Sequence, residues 1–191
     1  MVWFAFACLL TTGVTFPTST QIQQQKQLGD YIVIGWNDLG MHCMNSDYEG
    51  LTILPPYNTI WAQVVRRGNP PELVSEGVKI EYRFPENTES ASKINFWNYE
   101  DQLFGVELEP NIGLAGNGMS GELEWNGTAF EVVGVPLTPF TDAQPTVEDP
   151  YQLAELTLRS DTGEGVLDQT TVVAPVSVEM HCDLCHSGDD D

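Results

Sequence analysis

Residues 78–84 read VKIEYRF, with Val78, Ile80, Tyr82 and Phe84 alternating with Lys79, Glu81 and Arg83. A period of two puts one set of side chains in a core and the other in water, as in a half-buried β-strand. Ala154, Leu156 and Leu158 alternate with Glu155, Thr157 and Arg159 in the same way. Outward from these two stretches, the pattern predicts further strands over residues 31–36, 59–66, 119–125, 128–134 and 170–178, separated by Gly, Pro, Asn and Asp. Residues 90–104 are the one helical candidate, and their periodicity is poor. About seven short strands predict a mainly β chain, specifically an antiparallel β-sandwich with an immunoglobulin-like look.

At 191 residues the chain is long enough for one domain with a real hydrophobic core. Its first sixteen residues, MVWFAFACLLTTGVTF, carry no charge and precede the small, polar stretch PTSTQIQQQ. The apolar run is shorter than the roughly 20 residues that a membrane-spanning helix needs. It reads as the hydrophobic part of a secretory signal, with a buried N-terminal strand as the alternative. The expected organisation is a signal-like export segment at 1–22, a β domain at 27–178 and a short C-terminal segment at 179–191. The mature chain is expected to be periplasmic or extracellular, without a membrane span, and to lose Cys8 on cleavage.

The chain has 7 basic against 28 acidic residues, a formal charge of −21. That balance argues against a phosphate-binding surface, and so against nucleic acid, and favours partners with a basic surface. Five of the seven cations lie between Arg66 and Lys93, so the remaining surface is more acidic than the average.

Three motifs weaken in context. Gly116-Asn-Gly118-Met-Ser-Gly121 spells a dinucleotide fingerprint, but a strand-like run follows where a helix is required. Asn126-Gly127-Thr128 spells a glycosylation sequon, yet Asn-Gly between two strands is a strong hairpin signal. Residues 45–50 resemble half of a calcium loop, but Pro56 stands where a bidentate Glu is expected.

The chemistry is concentrated elsewhere. All three histidines and three of the four cysteines lie in LGMHCMN, residues 39–45, and EMHCDLCH, residues 179–186. Cys182-Asp-Leu-Cys185-His186 matches C-x-x-C-H, the attachment signature of a c-type haem. Two thiols one helical turn apart can each form a thioether with a vinyl group, and the adjacent imidazole of His186 then lies under the iron. His42, outside that segment, is the candidate distal ligand, and a structural histidine bonded to a neighbouring strand is its alternative. Met41, Met44 and Met180 are alternative axial ligands or core filler. His181, directly before Cys182, is poorly placed to reach the opposite face of the same haem and could serve a neighbouring one.

Cys43 is left over, as a buried free thiol or an intermolecular partner. In a second reading, His42, Cys43, His181, Cys182, Cys185 and His186 converge on zinc or copper, offering more than the four ligands of a tetrahedral site. That reading predicts a compact cluster, whereas haem predicts a flat apolar gap beside the C-x-x-C-H segment. A dithiol cycling with a disulfide is a further chemical rival. A third reading is a non-catalytic interaction domain. No serine triad, carboxylate pair or phosphate loop is recognisable, so the chain is not read as an enzyme.

The stretches GWNDLGMHCMNSDYEGLTILPPYNTIWAQVVRRG, NFWNYEDQLFG and APVSVEMHCDLCH resemble a family of exported bacterial c-type cytochrome-like proteins. In these polypeptides a β-rich N-terminal region precedes one or more C-x-x-C-H motifs. The resemblance implies an exported haem protein of the multihaem type, with Cys182, Cys185 and His186 as attachment residues. It gives no role to His42. Further haem domains are an implied partner, and the segment at 179–191 then begins a haem-bearing region.

Overall fold

The computed structural model describes residues 29–50, 54–163 and 165–178. The chain is mainly β. Its strands are β1 (Tyr31–Asn37), β2 (His42–Cys43), β3 (Asn58–Arg66), β4 (Glu72–Val74), β5 (Val78–Arg83), β6 (Ser120–Trp125), β7 (Phe130–Val135), β8 (Tyr151–Ser160) and β9 (Val166–Ser177). They form one continuous sheet in the order β1-β3-β7-β6-β5-β8-β9-β2, with β4 paired to β3 off this path. β2 runs parallel to β9, so the sheet is mixed. The other ladders are antiparallel.

The alternation in β5 is obeyed residue by residue. Val78, Ile80, Tyr82 and Phe84 are buried, and Ile80 faces Leu158 on β8 and Leu123 on β6. The outer side chains interlock by charge: Lys79 Nζ reaches Glu122 at 2.9 Å, and Arg159 Nε reaches Glu81 at 2.8 Å. The expected strands at 119–125, 128–134 and 170–178 correspond to β6, β7 and the second half of β9. Asn126-Gly127-Thr128 forms the turn between β6 and β7, where Asn126 Oδ1 accepts from Thr128 N at 2.9 Å and Ala129 N at 3.0 Å.

The sheet curls until its two ends approach. Val33 N donates to Asp168 Oδ2 at 2.8 Å, a bond from β1 to β9 across 135 positions. Gly35 lets β1 come this close, because a Cβ there would lie 2.5 Å from Leu156 Cδ1 and 2.6 Å from Val172 Cγ1. Only a residue without a side chain fits at such a crossing.

The predicted helix is largely replaced by turns. A single 3₁₀ turn covers Phe96–Asn98 and one short helix, α1, covers Glu100–Phe104. Before them, Asn111 Oδ1 accepts from Ser90 N and Ala91 N at 2.7 and 2.8 Å. The Lys93 side chain is buried and donates to Asn87 Oδ1, Phe140 O and Asp142 Oδ1. Side chains here satisfy groups that a helix would have paired internally.

Candidate functional site

The site is built at the end of β1. Asn37 closes a turn, its Oδ1 accepting from Leu39 N at 3.1 Å and Gly40 N at 3.0 Å. Its Nδ2 donates to Asn58 Oδ1 at 2.7 Å and Thr59 O at 3.0 Å. Asn58 is fully buried and donates in turn to Pro175 O on β9 at 3.2 Å, which ties three strands together. Gly40 has a φ of 77°, a conformation a side chain resists, and there the chain turns into β2.

Among the described residues β2 is the outermost strand on its side of the sheet, with His42 in register with Val176 and Cys43 with Ser177. Met44 N extends the contact, donating to Ser177 O at 2.9 Å. The first Met-His-Cys piece is therefore hydrogen-bonded to the end of the strand that leads into the second. Downstream, Asn45 N donates to Leu54 O at 3.0 Å and Leu54 N to Asn45 Oδ1 at 2.8 Å. Tyr48 is buried edge-on against Phe96, with ring centroids 5.2 Å apart, and anchors this loop to the 3₁₀ turn. Burial pushes the Tyr48 phenol above its ordinary value, so it stays protonated and donates to Leu54 O at 3.2 Å. In the same loop the hydrogen bond from Asn95 holds the Asp47 carboxyl below its usual range.

His42 is buried at 8% exposure, and its Nε2 lies 2.7 Å from Asp38 Oδ1. A ring nitrogen beside a carboxylate donates its proton there, and this fixes the orientation of the imidazole and leaves Nδ1 as its other coordinating atom. Cys43 is an exposed free thiol. Along this stretch His42 and Met44 are buried and Met41 and Cys43 exposed, and Met41, His42 and Cys43 all border one cavity.

Around these residues lies a surface cavity of about 480 Å³, lined by Asp38, Leu39, His42, Leu54, Pro55 and Tyr57 among others. Its volume falls in the range of small-molecule sites, about 300–1,000 Å³. The rim is apolar and open to solvent: Leu39 is 69% exposed, Met41 40% and Tyr57 38%.

Of the residues expected to form the site, only His42, Cys43, Met41 and Met44 are within the described part. Met180, His181, Cys182, Cys185 and His186 lie outside the described residues, as does the export-like segment at 1–22. Among the described residues, no three His, Cys, Asp or Glu side chains are grouped to hold a metal ion. Sequence reading missed Asp38 as the partner of His42, and Asn58 as the tie to β9. The available signal for Asp38 was the Asn-Asp-Leu-Gly run, a turn composition just ahead of a lone histidine.

Gly116, Gly118 and Gly121 lead into β6, not a helix, so the phosphate-binding context of the fingerprint is missing. No helix among the described residues is long and apolar enough to cross a membrane. Comparison with protein-family models, curated proteins and solved structures finds no match.

Proposed function

We propose that this chain is an exported c-type haem protein of electron transfer, in which a curled, sandwich-like sheet presents a haem-attachment segment beside an apolar shelf. The observation that carries this reading is the C-x-x-C-H spacing of Cys182, Cys185 and His186. Ser177, five positions before Cys182, is registered against Cys43 at the border of the cavity. Five residues of fully extended chain span at most about 18 Å, which bounds the distance from Ser177 to Cys182 by the length of the chain between them.

The described residues fit a haem on chemical grounds. Leu39, Tyr57, Leu54 and Pro55 supply apolar surface, His42 an imidazole, and Met41 a thioether. Bound haem supplies a one-electron iron couple. Cys182 and Cys185 would hold it through thioethers, His186 would ligate from the attachment side, and His42 would ligate from the β2 side through Nδ1. Asp38 keeps the His42 ring oriented by taking its other proton, and such a partner raises ligand basicity. Leu39, Met41 and Tyr57 are exposed apolar side chains that a bound haem would cover.

Five of the six described cations are paired with carboxylates, which leaves an acidic surface to steer a basic redox partner.

The chain produced with a c-type haem maturation system should give a pyridine haemochrome spectrum of about one covalent haem per polypeptide. The double variant C182A/C185A should give none, and absence of covalent haem from the unaltered chain overturns the reading. In the loaded protein, H42A should convert a six-coordinate, low-spin absorption spectrum to a high-spin one. An unchanged spectrum would make His42 a structural residue.

A further inference from the structure

The sequence contains Asn-Gly twice, at Asn117-Gly118 and Asn126-Gly127, and the fold treats the two differently. An asparagine followed by glycine is open to attack by the glycine amide nitrogen on its side-chain carbonyl carbon, because the next residue has no side chain to stand in the way. Asn117 is held against this reaction. It is half-buried, its Nδ2 donates to Val133 O at 2.8 Å, and Gly118 O accepts from the buried Tyr82 phenol at 2.8 Å. Asn126 and Gly127 are both exposed between β6 and β7, and nothing lies within 4 Å of the position a Gly127 Cβ would take. Among the described residues no hydrogen bond engages Gly127 N. The carbonyl within its reach is polarised, because Asn126 Oδ1 accepts from Thr128 N and Thr128 Oγ1 at 2.9 Å and from Ala129 N at 3.0 Å. Such fixed donors stabilise the negative charge that builds on this oxygen as nitrogen adds to the carbon.

We propose that Asn126 is a site of spontaneous covalent modification, an intramolecular deamidation whose product loosens the junction of β6 with β7. In the first step a bond forms between Gly127 N and Asn126 Cγ, and the bond from Cγ to Nδ2 breaks. The proton of Gly127 N leaves with Nδ2 as ammonia, and a succinimide ring remains. Water then opens the ring, with no redox change. Cleavage of the new bond from Cγ to nitrogen gives aspartate. Cleavage of the bond from the Asn126 main-chain carbonyl to Gly127 N gives isoaspartate, with the chain running through Cγ. In the unmodified chain Asn126 Nδ2 donates to Glu131 Oε2 at 2.8 Å, and in the aspartate product a carboxylate oxygen takes the place of that donor. Glu124 is registered directly across from Glu131, so a third negative charge joins two that already oppose each other. Isoaspartate instead adds one carbon to the backbone of the turn. The β6–β7 ladder has little to resist either change, since its registered pairs are Glu124↔Glu131 and Trp125↔Phe130. In the strand order it is the link between β1-β3-β7 and β6-β5-β8-β9.

The test ages the full chain, made in a host without N-glycosylation, in mildly alkaline buffer and follows its proteolytic peptides by mass spectrometry. Residue 126 should lose its amide at least about tenfold faster than residue 117, whose glycine is held in place. An isoaspartate methyltransferase should label the peptide that contains residue 126. Equal rates at the two positions, or an intact amide at 126, overturn the proposed site. The consequence is read separately, without ageing. N126D should have a lower urea midpoint than the unaltered chain, and in an E131Q background the same substitution should lower the midpoint by less. An unchanged midpoint in N126D overturns the loosening, and an equal drop in both backgrounds overturns the part given to Glu131.

Discussion

Two glycines near the site constrain the chain for different reasons, and their substitution separates the two effects. At Gly35 an added methyl group meets Leu156 and Val172 inside the curl, well within contact distance. At Gly40 nothing lies within 4 Å, and the obstacle is the positive φ alone. G35A should therefore cost about 2–3 kcal/mol, as overpacked cores do, and G40A about 1 kcal/mol. Urea denaturation of both variants checks the order, and a G40A loss equal to or above that of G35A would refute the steric account. Residue by residue, His42 was legible as a ligand candidate because it is the one histidine outside 179–186. Asp38 was not legible, because its bond to His42 depends on the Asn37 turn and Gly40 folding the chain back over four positions.

Among the elements, the long strands were legible because alternation needs several residues to declare itself. β5 and β8 could be read position by position, whereas β2 and β4, of two and three residues, are too short to show a period. β2 is nonetheless the element that places the site, and a sequence-distant partner, β9, creates it. The segment expected as a helix failed for a local reason that also gives a prediction. Burial alone would raise the Asp142 carboxyl, but hydrogen bonds from Lys93 and Thr88 outweigh it and hold the group at about 2, below its ordinary 3.8. A depressed carboxylate stabilises the fold above its unfolded value, and that contribution is lost as pH falls through the folded one. Asp142 is 39% exposed, so solvent screening reduces the contribution to about 1 kcal/mol. D142N should thus be less stable than the unaltered chain by about that amount at pH 7, with the gap closing between about pH 4 and pH 2. A gap that persists unchanged at pH 2 would locate the loss elsewhere.

At the scale of the whole molecule, 28 carboxylates face 7 cations, and the cations within the described residues are nearly all paired. The unpaired acids repel one another over a Debye length of about 30 Å at 0.01 M salt and about 8 Å at 0.15 M. Raising sodium chloride over that range should stabilise the chain by about 1 kcal/mol, read as a higher urea midpoint. A falling midpoint would mean that the surface ion pairs on β5, β6 and β8 outweigh the repulsion. The bond from Val33 to Asp168 adds a constraint in time. β1 emerges from synthesis 135 positions ahead of its contact in β9, so the curl cannot close until the strand that introduces the C-x-x-C-H segment has been made. Contacts so far apart in sequence make folding slow, and the unfinished sheet has two open edges meanwhile. Completion of the scaffold is thereby tied to one late event, the docking of β9.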